Sequence, residues 1–474
     1  MSSGGLLQLV AKGAQDTYLT SKPNITYFKL AYKKHTNFAI ETKKQSFNAC
    51  FDSISEITLP RVGDLVSNMY VHVTLPKIGK IHTNTTYSAE NFDTKYGWVN
   101  SIGHVLIDYV ELQIGGQQIV RHSGSWLDLI SQLAVTPTQD LQYQNLVGRD
   151  FSLFNTVKGT VTNKAYNLYI PLQFFFCKNI SQALPLIALQ YHEVKIIIKW
   201  RPFNECWTST EINCPDIVKP QSNICAELLT DYIYLDTDER KVFAQKTHEY
   251  LIEQVQHINI DTHIHSLNIN EEINFNHPVK ELLWTIQYED FVRNNMNSIT
   301  PQSYSFDSCG ESNIATALTS MTCFPNNHFN YGLPEVFKQI DNTLDPIVNS
   351  KLLFNGSERY TNFDGKYFNT VQMYQYNKCN SPNGIYMYSF ALKPNETKPS
   401  GACNFSRIDN VTLNIELCNI NNIFSKAGLF VDNSDLGIDD KVLEFTNDIH
   451  LNVWAVNYNI LRIMSGMGGL AYSN

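Results

Sequence analysis

The chain is poor in charge. Asp, Glu, Lys and Arg make up only 17% of its 474 residues, and the acids outnumber the bases to leave a formal charge of −9. Phosphate binding needs concentrated Lys and Arg, so this balance excludes a nucleic-acid coat and predicts no direct contact with nucleic acid. The one basic cluster, Lys29, Lys33, Lys34, Lys43 and Lys44, is interleaved with strand-forming residues and reads as a solvated strand face. No run reaches the roughly 18 apolar residues of a membrane span. The best candidate, "LPLIALQYHEVKIIIKW", is broken by His192, Glu193 and Lys195. Residues 6–10 are too short for the apolar core of a secretory signal. The ten cysteines are scattered, and even Cys206, Cys214 and Cys225 lack the paired short spacings of a structural zinc site. Free thiols in a reducing compartment are expected. Catalytic signatures are missing as well: there is no GxSxG elbow, Walker loop or HExxH helix.

Aromatics, at 12%, and frequent Asn suit β-strands joined by polar loops, so all-β is the expected class. In "YVELQIGGQQIV", Val110, Leu112 and Ile114 alternate with Glu111 and Gln113, and Gly115-Gly116 then offers a two-residue hairpin turn. Val411, Leu413, Ile415 and Leu417 alternate in the same way with polar residues, as does "MYVHVTLP". "VKIIIKW" and "LQFFFC" are apolar nearly throughout and read as strands between two layers.

Helices are few. Trp126, Leu129, Ile130 and Leu133 recur at i, i+3, i+4 and i+7, predicting a helix in "SWLDLISQL". A second is expected in "DTDERKVFAQ", with Asp236 as cap and Glu239 closing a capping box. Because it lies mid-chain between two strand series, it marks a boundary between two β-sandwiches near residues 239–245. "NECWTSTEINCPDIVKPQSNIC" before it reads as a long loop. "IDYVELQI" and "RIDNVTLNI" share I-D-x-V-x-L-x-I, but the shared period of two accounts for this without a repeat.

The sharpest metal candidate is His263-Ile264-His265 with Glu271, an arrangement that jelly-roll metalloenzymes of the cupin type use. The cupin glycine six residues ahead of the first His is missing and the Glu is too distant. Strand parity explains the histidines better: Ile258, Ile260 and Ile264 face one way, leaving Asn259, Asp261, His263 and His265 on the solvent face. No metal or cofactor is expected. Sequons occur at Asn24, Asn84, Asn179, Asn355, Asn395, Asn404 and Asn410, and of these Asn84, Asn355 and Asn395 are the candidate glycosylation sites.

Longer phrases carry a resemblance. "GGLLQLVAKGAQDTYLTSKPNITYFKLAYKKHTNFAIE", "WVNSIGHVLIDYVELQIGGQQI", "LPLIALQYHEVKI", "YLDTDERKVFAQKTHEYLIEQVQ", "FNHPVKELLWTIQ", "YSFALKPNETKPSGACNFSRIDNVTL" and "NYNILRIMSGMGGLAYSN" run in order from residue 4 to the end. Together they resemble the major capsid proteins of nucleocytoplasmic large DNA viruses. The resemblance implies two consecutive eight-stranded jelly rolls with short helical insertions, divided as a basal segment over residues 1–25, a first roll over 26–240 and a second over 241–474. It implies a non-enzymatic subunit that forms homotrimeric, pseudo-hexagonal capsomers tiling an icosahedral virion assembled in the host cytoplasm. The partners it implies are neighbouring capsomers, minor capsid and penton proteins, and an internal membrane that lies nearby but is not spanned. By position, residues 4–20 would face those inner partners, so Gly4, Gly5, Leu6, Leu7, Leu9 and Tyr18 are assembly-contact candidates.

The tail gives two more. Trp454, Val456, Tyr458 and Ile460 are expected in a last strand inside the second sandwich, with Leu451 and Val453 helping to fill its core. Gly466, Gly468 and Gly469 would then turn the backbone so that Leu470 and Tyr472 pack on the sister domain or a neighbouring chain. Two competing readings are a carbohydrate-binding sandwich, through the Asn-rich loops, and a cupin-like enzyme, through His263 and His265.

Overall fold

The computed structural model describes residues 4–76, 78–81, 96–149, 166–209, 217–220, 223–263, 267–288, 328–329, 331–332, 345–377, 384–418 and 448–472. The chain divides into two compact units, Met1–Phe38 and Ala39–Asn474. The first contains two short helices, α1 (Gly4–Val10) and α2 (Thr17–Thr20), neither of which buries a residue. Lys29, Lys33 and Lys34 lie here outside any strand, so only Lys43 and Lys44 of the basic cluster fit the strand-face reading.

The second unit is built from strands. The first series is β1 (Phe38–Asn48), β2 (Ile54–Thr58), β3 (Leu65–Thr74), β4 (Ile107–Ile114), β5 (Gln117–Ser123), β6 (Asn167–Pro171), β7 (Val194–Trp200) and β8 (Cys225–Leu235). They form two facing sheets, ordered β1-β8-β3-β6 and β2-β7-β4-β5. The second series is β9 (His248–His263), β10 (Asn268–Glu272), β11 (Pro278–Tyr288), β12 (Ile347–Phe354), β13 (Ser357–Asp364), β14 (Ile385–Ser389), β15 (Val411–Leu417) and β16 (Asp448–Met464). Its sheets are ordered β9-β16-β11-β14 and β10-β15-β12-β13, so adding eight to each strand number converts one wiring into the other. Each half is a jelly roll. The shared I-D-x-V-x-L-x-I phrase falls on β4 and β15, which are not equivalent strands, so it is no trace of this duplication.

Period-two patterning forms these strands. In β7, Val194, Ile196, Ile198 and Trp200 are buried while Lys195, Ile197 and Lys199 are half-exposed, which makes it a one-sided strand rather than one sandwiched between layers. The Gly115-Gly116 turn joins β4 to β5 with φ of +59° and +81°. At the equivalent place Asn355-Gly356 joins β12 to β13 with φ of +49° and +79°, and both pairs supply the left-handed conformations that tight hairpins need.

Two other expectations are corrected. "LQFFFC" is not a strand: β6 ends at Pro171 and Phe175–Lys178 is a short helix. Phe174, Phe175 and Phe176 are all buried. Helical steps of about 100° allow consecutive rings to bury together, whereas a strand would send every second ring to the opposite face. The expected long loop after Trp200 contains two short strands, Trp207–Ser209 pairing Tyr96–Trp98 and Ile217–Pro220 pairing Ile78–Ile81. Its partners come from the β3–β4 connection, and no local pattern announces such a distant pairing.

Two predicted helices form. α3 (Gly124–Ala134) follows β5 directly, with the Ser123 hydroxyl accepting from the Trp126 N–H at 3.1 Å. α4 (Thr237–Gln245) lies between the two rolls, and the Asp236 carboxylate accepts from the Thr237 N–H at 2.7 Å.

Candidate assembly site

The second roll buries one sheet on both faces. Inward, Leu282, Trp284, Ile286, Tyr386, Leu451, Val453 and Ala455 fill its own core. Outward, Leu283, Ile385, Met387, Trp454 and Val456 pack with Trp126, Leu129, Ile130 and Leu133 of α3 from the first roll. Trp454 and Val456 therefore do not sit inside the second sandwich as expected. Their parity is opposite to that of Leu451 and Val453, so a strand must point them to the other face.

α3 has a polar side, anchored to its own roll. The buried Asp128 carboxylate accepts from Arg149 Nη2 at 2.6 Å and His104 Nδ1 at 3.2 Å. Burial opposes the Asp128 charge, but the His104 hydrogen bond and the Arg149 guanidinium outweigh it and hold the carboxyl below its ordinary range. Burial pushes His104 down, so its imidazole is neutral. An ionised Asp128 only accepts; Nδ1 of His104 therefore carries the proton, and Nε2 accepts from the Tyr143 hydroxyl at 3.1 Å. The Asp-His-Tyr arrangement resembles catalytic geometry, but all three residues are buried and what they do is fix the helix.

A charged cluster crosses the same junction. Glu253 on β9 takes Lys178 of the first roll at 2.9 Å, together with Lys280 on β11. Burial opposes the Glu253 charge, yet the two ammonium groups lower its pKa to about 2. Gln182 Nε2 donates to the Leu251 carbonyl at 2.8 Å, and Asn179 Nδ2 to Thr397 Oγ1 at 3.0 Å. Apolar contact and satisfied polar groups together join the rolls through their side chains.

The tail continues this junction. β16 turns at Ser465-Gly466 into β17 (Met467–Leu470), which pairs back on it. The Gly466 carbonyl accepts from the Tyr191 N–H at 2.9 Å, and His192 Nδ1 lies within hydrogen-bond distance of the Gly468 backbone, 3.0 Å from its carbonyl oxygen and 3.3 Å from its nitrogen. A Cβ on Gly468 would meet Leu189 Cδ2 at 2.7 Å, so a larger residue here would have to push the Leu189 side chain aside. Leu470 is half-buried against the first roll's core. Tyr472 is 60% exposed, and only its carbonyl is held, by Asn459 Nδ2 at 2.9 Å.

The other candidates are dispersed. Gly4, Gly5, Leu6, Leu7 and Leu9 lie on α1 and Tyr18 on α2, all exposed. Asn84 falls outside the described residues. Asn355 is exposed in the β12–β13 turn. Asn395 is exposed as a residue, while its Nδ2 donates to Asn377 Oδ1 at 3.0 Å. His263 ends β9 and His265 is outside the described residues; upstream, Ile258 and Ile260 are half-buried while Asn259 and Asp261 are exposed, the expected parity. Among the described residues no cluster of His, Cys, Asp or Glu fits a metal ion, and no helix is long and apolar enough to cross a membrane. Sequence reasoning found α3 but missed its partner face. The available signal was the adjacent Leu282, Leu283 and Trp284 in β11, which place one large apolar side chain, Leu283, on the parity opposite to the core.

Comparison with known proteins decides the family. A profile described as the large eukaryotic DNA virus major capsid protein matches residues 239–469, and one for the major capsid protein N-terminus matches residues 26–236. The chain belongs to the major capsid protein family of large eukaryotic DNA viruses. The major capsid protein of Phaeocystis pouchetii virus is 36% identical, with 100% of both chains covered. That of Paramecium bursaria Chlorella virus 1 is 37% identical, also over 100% of both. A chain of the PBCV-1 virus capsid superposes with a TM-score of 0.71 at 34% identity, covering 95% of this chain and 100% of that one. The Faustovirus major capsid protein shares the fold at a TM-score of 0.61 and 10% identity, over 96% and 94% of the two chains. The double jelly roll is thus a capsid fold, and the protein is a structural, non-enzymatic component of the virion.

Proposed function

We propose that three copies of the chain close into a pseudo-hexagonal capsomer, and that these trimers tile a large icosahedral shell. The observation that carries this is the duplicated wiring within one compact unit: two equivalent rolls fixed by α3 and the Glu253 cluster give each subunit two similar corners, and three subunits give six. The division into a basal segment over residues 1–25 and rolls over 26–240 and 241–474 belongs to the same reading. So does the role of Gly4, Gly5, Leu6, Leu7, Leu9 and Tyr18, whose exposed apolar side chains suit inner partners such as minor capsid and penton proteins near the internal membrane. Leu470 supports the rigid pairing of the rolls, while Tyr472 remains available to a neighbouring chain. Asn84, Asn355 and Asn395 are candidate glycan sites, and modification of Asn395 would require giving up its hydrogen bond to Asn377. Assembly takes place in the host cytoplasm without direct contact to the genome.

Solution mass tests the capsomer. Light scattering of the purified chain is expected to give three times 54.1 kDa. A monomer that persists as concentration rises would refute it.

A further inference from the structure

The duplication extends below the level of strands. Gly124 opens α3 directly after β5, where a Cβ would meet the carbonyl oxygen of Ile107, the first residue of β4, at 2.3 Å. Gly365 follows β13 directly, and a Cβ there would meet the carbonyl oxygen of Ile347, the first residue of β12, at 2.3 Å. The helical turn that opens at Gly365 continues through a wider π turn, Tyr367–Val371, into the α-helix Gln372–Tyr376. It is the counterpart of α3. Three residues after each glycine, Leu127 and Phe368 are buried in the core of their own roll.

The outward stripes then correspond by position. Leu129, Ile130 and Leu133 of α3 pack on the second roll; at the same distances from Gly365 stand Thr370, Val371 and Tyr374. All three are exposed, Val371 by 41% and Tyr374 by 82%. The second helix thus carries exposed side chains at the positions that α3 uses, and among the described residues nothing from its own chain covers them.

The receiving face is duplicated too. In the second roll Trp454, Leu283 and Met387 form a cross-strand row beneath α3. A short third partner fixes the correspondence: Val279 pairs Cys403 as Val66 pairs Leu184. Four residues beyond Val279 is Leu283, and four beyond Val66 is Tyr70. Tyr70 pairs Leu229 on one side and Pro171 on the other, giving the equivalent row on the first roll. None of the three is fully buried. The adjoining Tyr169 is exposed and stacks on His72 with ring centroids 4.5 Å apart.

We propose that Thr370, Val371 and Tyr374 of one copy dock on the Leu229–Tyr70–Pro171 row of a second copy, reproducing between chains the contact that α3 makes within one. The occupant is a second copy because the donor stripe and the receiving row each repeat one half of an interface that the chain already forms. The same operation, applied around a ring, alternates internal and intermolecular contacts. This assignment rests on the trimeric reading above and names its surface.

The test uses the full chain. V371D/Y374D changes exposed side chains only, so it is expected to keep the wild-type far-UV spectrum and a cooperative melt while losing the trimer at concentrations where wild type is fully trimeric. A second arm pairs Tyr374→Cys with Tyr70→Cys under a short bismaleimide. In a Cys225→Ser background, which removes the exposed native thiol beside the row, covalent dimers and trimers are expected from the pair well in excess of those from either single variant. If wild type is trimeric while V371D/Y374D stays trimeric and the paired cysteines cross-link no more than the single variants, this surface is refuted and the capsomer reading survives. A monomeric wild type overturns both.

Discussion

Glu253 offers the most direct measure of how strongly the two rolls are held together. Its carboxylate lies between Lys178 of the first roll and Lys280, and Lys280 is itself buried, with the Pro394 carbonyl as its other close partner. The two ammonium groups lower the Glu253 pKa from 4.5 to about 2. At about 1.4 kcal/mol per pH unit, this corresponds to about 3 kcal/mol of stabilisation of the folded state. The folded pKa lies below the unfolded one, so the contribution is fully present above about pH 4.5 and is lost as pH falls toward about 2. E253Q leaves Lys280 buried beside a neutral amide, and breaking a buried pair from one side costs about 3–5 kcal/mol. Among the described residues Glu281 is placed to compensate: it lies 3.9 Å from Lys280, and burial holds its carboxyl above the ordinary range. Removing the Glu253 charge would favour its ionisation, so E253Q/E281Q should cost more than E253Q alone. Urea denaturation of wild type and both variants at pH 7 and at pH 3 reads all of this. The gap between wild type and E253Q is expected to be near 3 kcal/mol at pH 7 and to shrink at pH 3. A gap under 1 kcal/mol, or one that does not change with pH, would refute the argument.

The apolar half of the junction is tested by Leu133→Ala. Leu133 is 2% exposed between the rolls, and removing its side chain should cost about 2–5 kcal/mol, read as a lower urea midpoint at unchanged secondary structure. Gly468→Ala places a Cβ 2.7 Å from Leu189 Cδ2 and 3.2 Å from Ile114 Cγ2, so overpacking by about 1–3 kcal/mol should lower the melting temperature. Unchanged melting would mean that β17 does not bear on the first roll.

The parts of the fold that were readable in sequence are those in which one face of an element is wet. In β15 the polar residues mark the outward parity, and in α3 the stripe from Trp126 to Leu133 gives the helical period. The junction was not readable, because a helix stripe has the same spacing whether it covers its own sheet or another roll. Trp454 and Val456 illustrate the difficulty: over Val453-Trp454-Ala455-Val456 both parities of β16 are apolar, and within those four residues nothing says which side holds the core. "LQFFFC" failed for a related reason, since three adjacent rings carry no period at all. The equivalence of Gly124 and Gly365 was equally hidden: one glycine in each half is no sequence pattern, and only the approach to the Ile107 and Ile347 carbonyls gives it meaning.

The differences between the two stripes follow from when each is covered. α3 meets its partner as the chain folds, so its contact never faces water in the finished subunit and can be aliphatic, with Leu129 and Leu133 against Trp454, Leu283 and Met387. The stripe from Thr370 to Tyr374 is exposed on the single subunit, where a contiguous aliphatic patch would promote indiscriminate association. Thr370 stands where Leu129 would be and Tyr374 where Leu133 would be, and the receiving row reads Leu229, Tyr70 and Pro171. Tyrosine suits both conditions, since its ring supplies buried area on contact and its hydroxyl remains solvated before it. The more polar of two equivalent interfaces is the one that must form after folding, so the inter-chain contact should be weaker than the internal one and dissociate before the rolls unfold.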